Sequence, residues 1–177
     1  VEDIEKSIKI FNDKLGYNPS FFSYPFGEYS LEQKNYVSNN FEFAFGQHSG
    51  VIDLNKDRYE LPRFPINEKY GEIKRFKEVI SYLPLQYKII KPENKFMNDG
   101  ENPPKMTIEF FEDQKNLENI NCFSNEGSKW RKTKIVLIDN ILNINFSEKF
   151  IERRGRINCS LKDENGWRFS GFQFVQN

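Results

Sequence analysis

Two polar stretches rich in glycine carry the residue types that could do chemistry: Gly27-Glu28-Tyr29, and Gly46-Gln47-His48-Ser49-Gly50. An unperturbed imidazole titrates near neutrality, so a proton-transfer role for His48 is open, as is the plainer role of a loop histidine. A serine nucleophile needs a base positioned to take its proton, and no such local arrangement is read for Ser49. His48 is the only histidine, so a metal site needing two histidines cannot be built from this sequence. Each stretch follows an apolar run, and two readings remain. Both could be turns that use glycine for backbone freedom. Alternatively, they are the loops at the C-terminal ends of parallel strands, which converge on one crevice in α/β folds. Further along, Cys122 and Cys159 occur in matching Ile-Asn-Cys settings, which leaves a disulfide or two reduced core thiols. Lys129-Trp130-Arg131-Lys132 and Arg153-Arg154-Gly155-Arg156 place cations near aromatic residues, as stacking sites or as solvated loop faces.

The elements that must position these residues change character near residue 92. Ile4, Ile8, Phe11 and Leu15 predict an amphipathic helix over 2–15 that stops at Gly16. Phe21 to Phe26 reads as a buried strand closed by Gly27, and Ser30-x-x-Gln33 has the spacing of a capping box that opens a helix to about residue 39. Phe41 to Phe45 is the next strand, and the stripe Ile73, Phe76, Val79, Ile80, Leu83 predicts a helix over 71–83. Helix and strand alternate, the pattern of an α/β unit with parallel strands. Residues 92–104 hold three prolines and read as a linker. Beyond it six short period-two runs are expected as strands: 106–110, 119–123, 134–138, 141–146, 156–161 and 167–175. They suggest a small antiparallel, Ig-like β-sandwich over 105–177. Alternation puts each cysteine on the same face as the isoleucine two places before it, where a cross-sheet disulfide could form.

Charge narrows the partners. The 177 residues hold 26 Lys plus Arg against 26 Asp plus Glu, and division at residue 95 gives 14 against 14, then 12 against 12. No net field steers the chain to nucleic acid, which is not an expected partner, or to an anionic membrane. Aromatics make up 16%, which excludes a disordered chain, and no run approaches the roughly 18 apolar residues of a membrane span. The chain opens on Val1 with a helix in mid-stride, the look of a mature or cut product.

Ser23-Tyr24-Pro25-Phe26-Gly27-Glu28-Tyr29 resembles the "YPYGEY" form of the third motif of NodB-type polysaccharide deacetylases, carbohydrate esterase family 4. The segment from Phe45 to Ile52 is similar to the "FGQQSGxI" segment of one bacterial branch of that family, and Leu61 to Asn67 to its "LPRFPMN" segment. The resemblance covers roughly residues 4 to 85. It implies that residues 1–91 are the C-terminal portion of a (β/α) barrel, so the expected fold is α/β plus all-β, a partial barrel segment followed by the sandwich.

The activity implied is hydrolysis of N-acetyl groups from a polysaccharide or oligosaccharide, with a divalent, zinc-like metal held by an Asp and two His. Those ligands belong to earlier motifs that this chain lacks, so no metal is expected on it and the chain alone is expected to be inactive. The resemblance makes Tyr24, Pro25, Phe26, Gly27, Glu28, Tyr29, Gln47 and Ser49 one wall of a substrate groove, with Glu28 and Tyr29 at its rim. Many relatives carry an arginine two residues before the motif proline, where it braces the catalytic base; this chain has Ser23 there, with Arg63 as a candidate substitute. His48 stands where the branch usually has glutamine and is a candidate general acid. The rival expectation is a stand-alone carbohydrate-binding or adhesion module working through Trp130, Trp167 and Phe169.

Overall fold

The computed structural model describes residues 1–98 and 100–176. In the N-terminal part, α1 (Glu2–Leu15) ends at Gly16 in the left-handed conformation, as its sequence predicts. Ile4 and Ile8 of its stripe pack on the core, while Leu15 is left exposed. β1 (Phe21–Ser23) runs parallel to β2 (Phe43–Phe45), with Phe22 opposite Ala44. Between them lies α2 (Leu31–Asn40), opened by a complete capping box in which the Ser30 and Gln33 side chains each bond the other's backbone N–H. Leu61 adds a third parallel rung beside Phe45. Tyr24, Tyr29, Val37, Phe41 and Ala44 form the small core of this part.

The expected strand from Phe21 to Phe26 is cut short. Tyr24 is followed by a tight turn over Pro25–Gly27, in which Phe26 has φ 57° and is 63% exposed. Pro25 cannot donate to a strand ladder, and Gly27 N–H turns back to the Tyr24 carbonyl at 2.9 Å, so the chain leaves the sheet here. α3 is also shorter than its pattern, Ile73–Ile80, because Leu83 and Pro84 form β3 (Leu83–Pro84) instead. The apolar stripe of α3 is uncovered: Ile73, Phe76 and Ile80 are all exposed.

Two mainly antiparallel sheets follow. β4 (Ile89–Lys91), β6 (Met106–Glu109), β10 (Ile141–Asn145) and β9 (Lys134–Ile138) make one, in the order β4-β6-β10-β9. β7 (Asn121–Ser124), β8 (Arg131–Lys132), β11 (Arg154–Asp163) and β12 (Gly166–Gln176) make the other, in the order β3-β12-β11-β7-β8, with β5 (Phe96–Met97) also on β12. All six expected strands are present. The 92–104 stretch is partly built into the sheet through β5, and β3 and β4 extend both sheets with residues from before 92. Alternation buries Met106 and Ile108, Leu142 and Ile144, and Ile157, Cys159 and Leu161, which share one core with Leu85, Phe110, Phe150 and Phe174. The molecule is thus mixed helix and sheet, with mostly antiparallel sheets, and no closed barrel forms among the described residues.

Cys122 and Cys159 are disulfide-bonded, and of the two states left open by the sequence this is the one present. The bond is not cross-sheet. The two residues are direct partners on neighbouring strands β7 and β11 of one sheet, with Cα atoms 4.1 Å apart, because the inward faces of the two strands come into register there. Its sequence separation of 37 closes a loop whose entropy amounts to about 4 kcal/mol. Reduction, or the Cys122→Ser/Cys159→Ser variant, is expected to lower the free energy of unfolding by about 2–4 kcal/mol in urea titrations. A midpoint indifferent to reductant would contradict this account.

Candidate functional site

The three motif segments, separated in the chain, meet at the C-terminal ends of β1 and β2. Tyr24 N–H continues the parallel ladder to the Phe45 carbonyl at 3.0 Å, and Gly46 N–H bonds Leu61 O at 2.9 Å. The first turn lies against the second loop so closely that a Cβ on Gly27 would sit 2.4 Å from the backbone nitrogen of Gln47. Gly27 also has φ +69°, so both its conformation and its neighbour exclude a side chain. Arg63 closes the third side: its N–H bonds the His48 carbonyl at 3.0 Å and its Nε the Gly46 carbonyl at 3.0 Å. Arg63 therefore clamps the backbone of the His48 loop.

Glu28 is engaged by the β-rich part. Its carboxylate accepts from Nε of Arg154 at 2.7 Å and from Nε and Nη2 of Arg153 at 3.0–3.2 Å. Burial pushes the Glu28 carboxyl up, but the hydrogen bonds and charges of the two arginines outweigh it and leave it below the ordinary glutamate value. Arg154 also stacks over the Phe26 ring, 4.7 Å from its centroid, and Gln173 Nε2 donates to the carbonyls of Phe26 and Gly27 at 3.2 Å. Half of one basic cluster thus holds the motif turn.

Tyr29 is buried and donates its hydroxyl to Glu60 at 2.7 Å. Lys34 bonds the same carboxylate at 3.0 Å and Asp57 at 2.5 Å. Burial alone would raise Glu60, yet Lys95, Lys34 and the Tyr29 hydroxyl keep it below the usual range, so the pair with Lys34 is ionic. Tyr24 is buried with its ring 4.5 Å from that of Tyr29, and burial followed by the charges of Asp57 and Glu60 pushes its hydroxyl well up. Pro25, Gln47 and Ser49 contribute chiefly backbone shape. Ser49 O lies where a Cβ on Gly171 would come within 2.3 Å, so this loop is pressed against β12.

His48 is partly buried by surface area, and its ring is surrounded by enough protein to make charging it costly. Burial pushes the imidazole down to about 4, against a weaker upward pull from Glu60. It is therefore neutral at pH 7, without the proton a general acid must give. Beside it lies a group that the sequence reading did not single out. The Lys56 side chain is 5% exposed, sits 4.1 Å over the Tyr87 ring, donates to Ser170 Oγ at 3.2 Å and lies 3.9 Å from Asp53 Oδ2. Burial lowers its amine to about 8, opposed by Asp53 and Glu60. No local signal marks Lys56, because its partners Tyr87 and Ser170 are distant in the chain.

Among the described residues no group of three or more His, Cys, Asp or Glu side chains is placed to hold a metal ion. With one neutral, enclosed imidazole, the residues present do not fit the divalent metal that the resemblance implies. Of the aromatics proposed for glycan stacking, Trp130 and Trp167 are about half exposed. Phe169 instead stacks on Tyr82 at an interplanar angle of 7° and against Phe64. No helix among the described residues is long and apolar enough to cross a membrane. No family model, curated protein or solved structure matches the chain.

Two outcomes follow for this cluster. Between pH 6.5, the ordinary histidine value, and about 4, the unfolded chain binds a proton at His48 that the folded chain does not, so stability falls as pH falls through that window. His48→Gln is expected to gain on the wild type by about 2–3 kcal/mol between pH 7 and 4.5 in urea unfolding; a constant difference overturns the burial account. Gly27→Ala is expected to cost at least about 2 kcal/mol, since it is strained at φ and meets backbone rather than a mobile side chain. Gln47→Ala should not rescue it, because the clash is with the nitrogen of that residue.

Proposed function

We propose that this chain is the C-terminal part of a NodB-type polysaccharide deacetylase, with residues 1–91 one wall of its (β/α) barrel and residues 105–177 an Ig-like β-sandwich behind that wall. The observation that supports the reading is the convergence of three separated motif segments, around Gly27, His48 and Arg63, at one end of parallel strands. A chance likeness of short words would not require them to touch. The exposed Phe21 ring and the uncovered stripe of α3 are consistent with further barrel structure against them.

In this reading the chain shapes a groove for an N-acetylated glycan, and the divalent metal and its ligands are supplied by a preceding part of the protein. Phe26 is the wall residue open to a sugar, since its ring is mostly exposed with Arg154 on one face. Glu28 and Tyr29 act differently from rim residues. Their polar atoms are taken by Arg153, Arg154 and Glu60, so they hold the turn that presents Phe26. Arg63 fixes the loop opposite.

The exposed indoles of Trp130 and Trp167 favour one rival, a carbohydrate-binding module. Triacetylchitotriose incubated with this chain and zinc is expected to release no acetate, whereas a protein extended N-terminally through the missing motifs releases it. Metal-dependent release by this chain alone overturns the proposal, as does an extended protein without a metal-ligating motif. Saturable glycan binding lost on Trp130→Ala would carry the module instead.

A further inference from the structure

A cavity of about 610 Å³ opens where α2 and the loop before Leu61 face β4 and the residues around β5. Five lysines and three carboxylates line it. In a chain with no net charge this excess is a matter of placement and not of composition.

Pairing is unevenly spread over these groups. Asp57 and Glu60 are both taken by Lys34, at 2.5 and 3.0 Å, and Lys88 reaches Glu109 at 3.4 Å. Lys91, Lys95 and Lys105 have no carboxylate within ion-pair distance among the described residues. Lys95 is the unusual one. It is 8% exposed, and its Nζ donates to the Pro92 carbonyl at 3.3 Å. An ammonium has three N–H donors and is costly to enclose, and here the charge of Glu60, beyond ion-pair distance, and the face of the Phe174 ring 5.7 Å away offset part of that cost. Burial accordingly pulls the Lys95 amine below its ordinary value, with Glu60 opposing. Lys91 and Lys105 are exposed on the same cavity, and Tyr87, Ile90 and Pro92 add apolar wall. Against these three cations stands one further lining carboxylate, the exposed Glu93, so the cavity keeps a positive balance suited to a ligand that brings negative charge.

We infer that this cleft binds a ligand carrying several anionic oxygen groups, phosphate or carboxylate, with Lys95 inside and Lys91 and Lys105 at the mouth. None of the deacetylase motif residues lines the cavity, so the site does not rest on that reading. Two sources share the chemistry, a phosphate compound and a sugar chain bearing uronate carboxylates.

Isothermal titration of the full chain at low ionic strength, with inorganic pyrophosphate and separately with trigalacturonate, tests the site. Saturable binding of at least one probe is expected, and which one binds identifies the source. Lys91→Gln/Lys105→Gln changes only exposed side chains and is expected to weaken binding about tenfold. Lys129→Gln/Lys132→Gln, in the other basic cluster, leaves it unchanged. Lys95→Met is expected to abolish binding, and the double variant decides the matter if Lys95→Met fails to fold. Failure of both probes to bind, indifference to the Lys91/Lys105 substitutions, or equal weakening by both double variants overturns the site.

Discussion

Strand β12 can be approached closely because Gly171 has no side chain, and the arrangement of the N-terminal part follows from that. A Cβ at this position would lie 2.3 Å from Ser49 O and 2.7 Å from the Asn158 side-chain oxygen. With none there, Gly50 bridges to Ser170, Lys56 reaches the Ser170 hydroxyl, and Gln173 caps the carbonyls of Phe26 and Gly27. The same strand carries β11 along one edge and β3 and β5 along the other. Backbone groups removed from water need partners, and β12 supplies them to several otherwise unrelated segments.

Electrostatics follows from this docking. Bringing the motif turn against β11 and β12 places Glu28 beside Arg153 and Arg154, and folding α2 onto the loop before Leu61 places Lys34 between Asp57 and Glu60. Each enclosed charge is costly alone, and pairing offsets that cost. Where pairing is complete, as around Glu28, the groups hold shape and are unavailable to a substrate. Where it is incomplete, as at Lys95, a site for an outside anion remains. The same distinction separates the residues that resemble a sugar-binding rim from those with free valence.

Much of the fold was legible locally. The capping box at Ser30 and Gln33 and the left-handed stop at Gly16 appear as read, and the six alternating strands after residue 105 are present with most ends moved by one or two residues. Each depends on neighbours within a few residues, where side-chain period and backbone preference act directly. The departures lie where a distant partner won. Leu83 left the helical stripe for the edge of β12, Phe26 left its strand for a turn whose carbonyl Gln173 caps, and part of the proline-rich stretch became β5.

The site divides the same way. By itself the sequence determined which residue types stand next to one another: the glycines that permit tight loops, a single histidine, and two cysteines on inward-facing positions. The tertiary structure alone decided their state. His48 is neutral because other segments enclose it, Glu28 is occupied because two arginines 125 and 126 residues away reach it, and the cysteines bond because β7 and β11 pair in one register. Desolvation and ion pairing depend on what surrounds a group in space, and a linear order of residues does not contain that until the chain is packed.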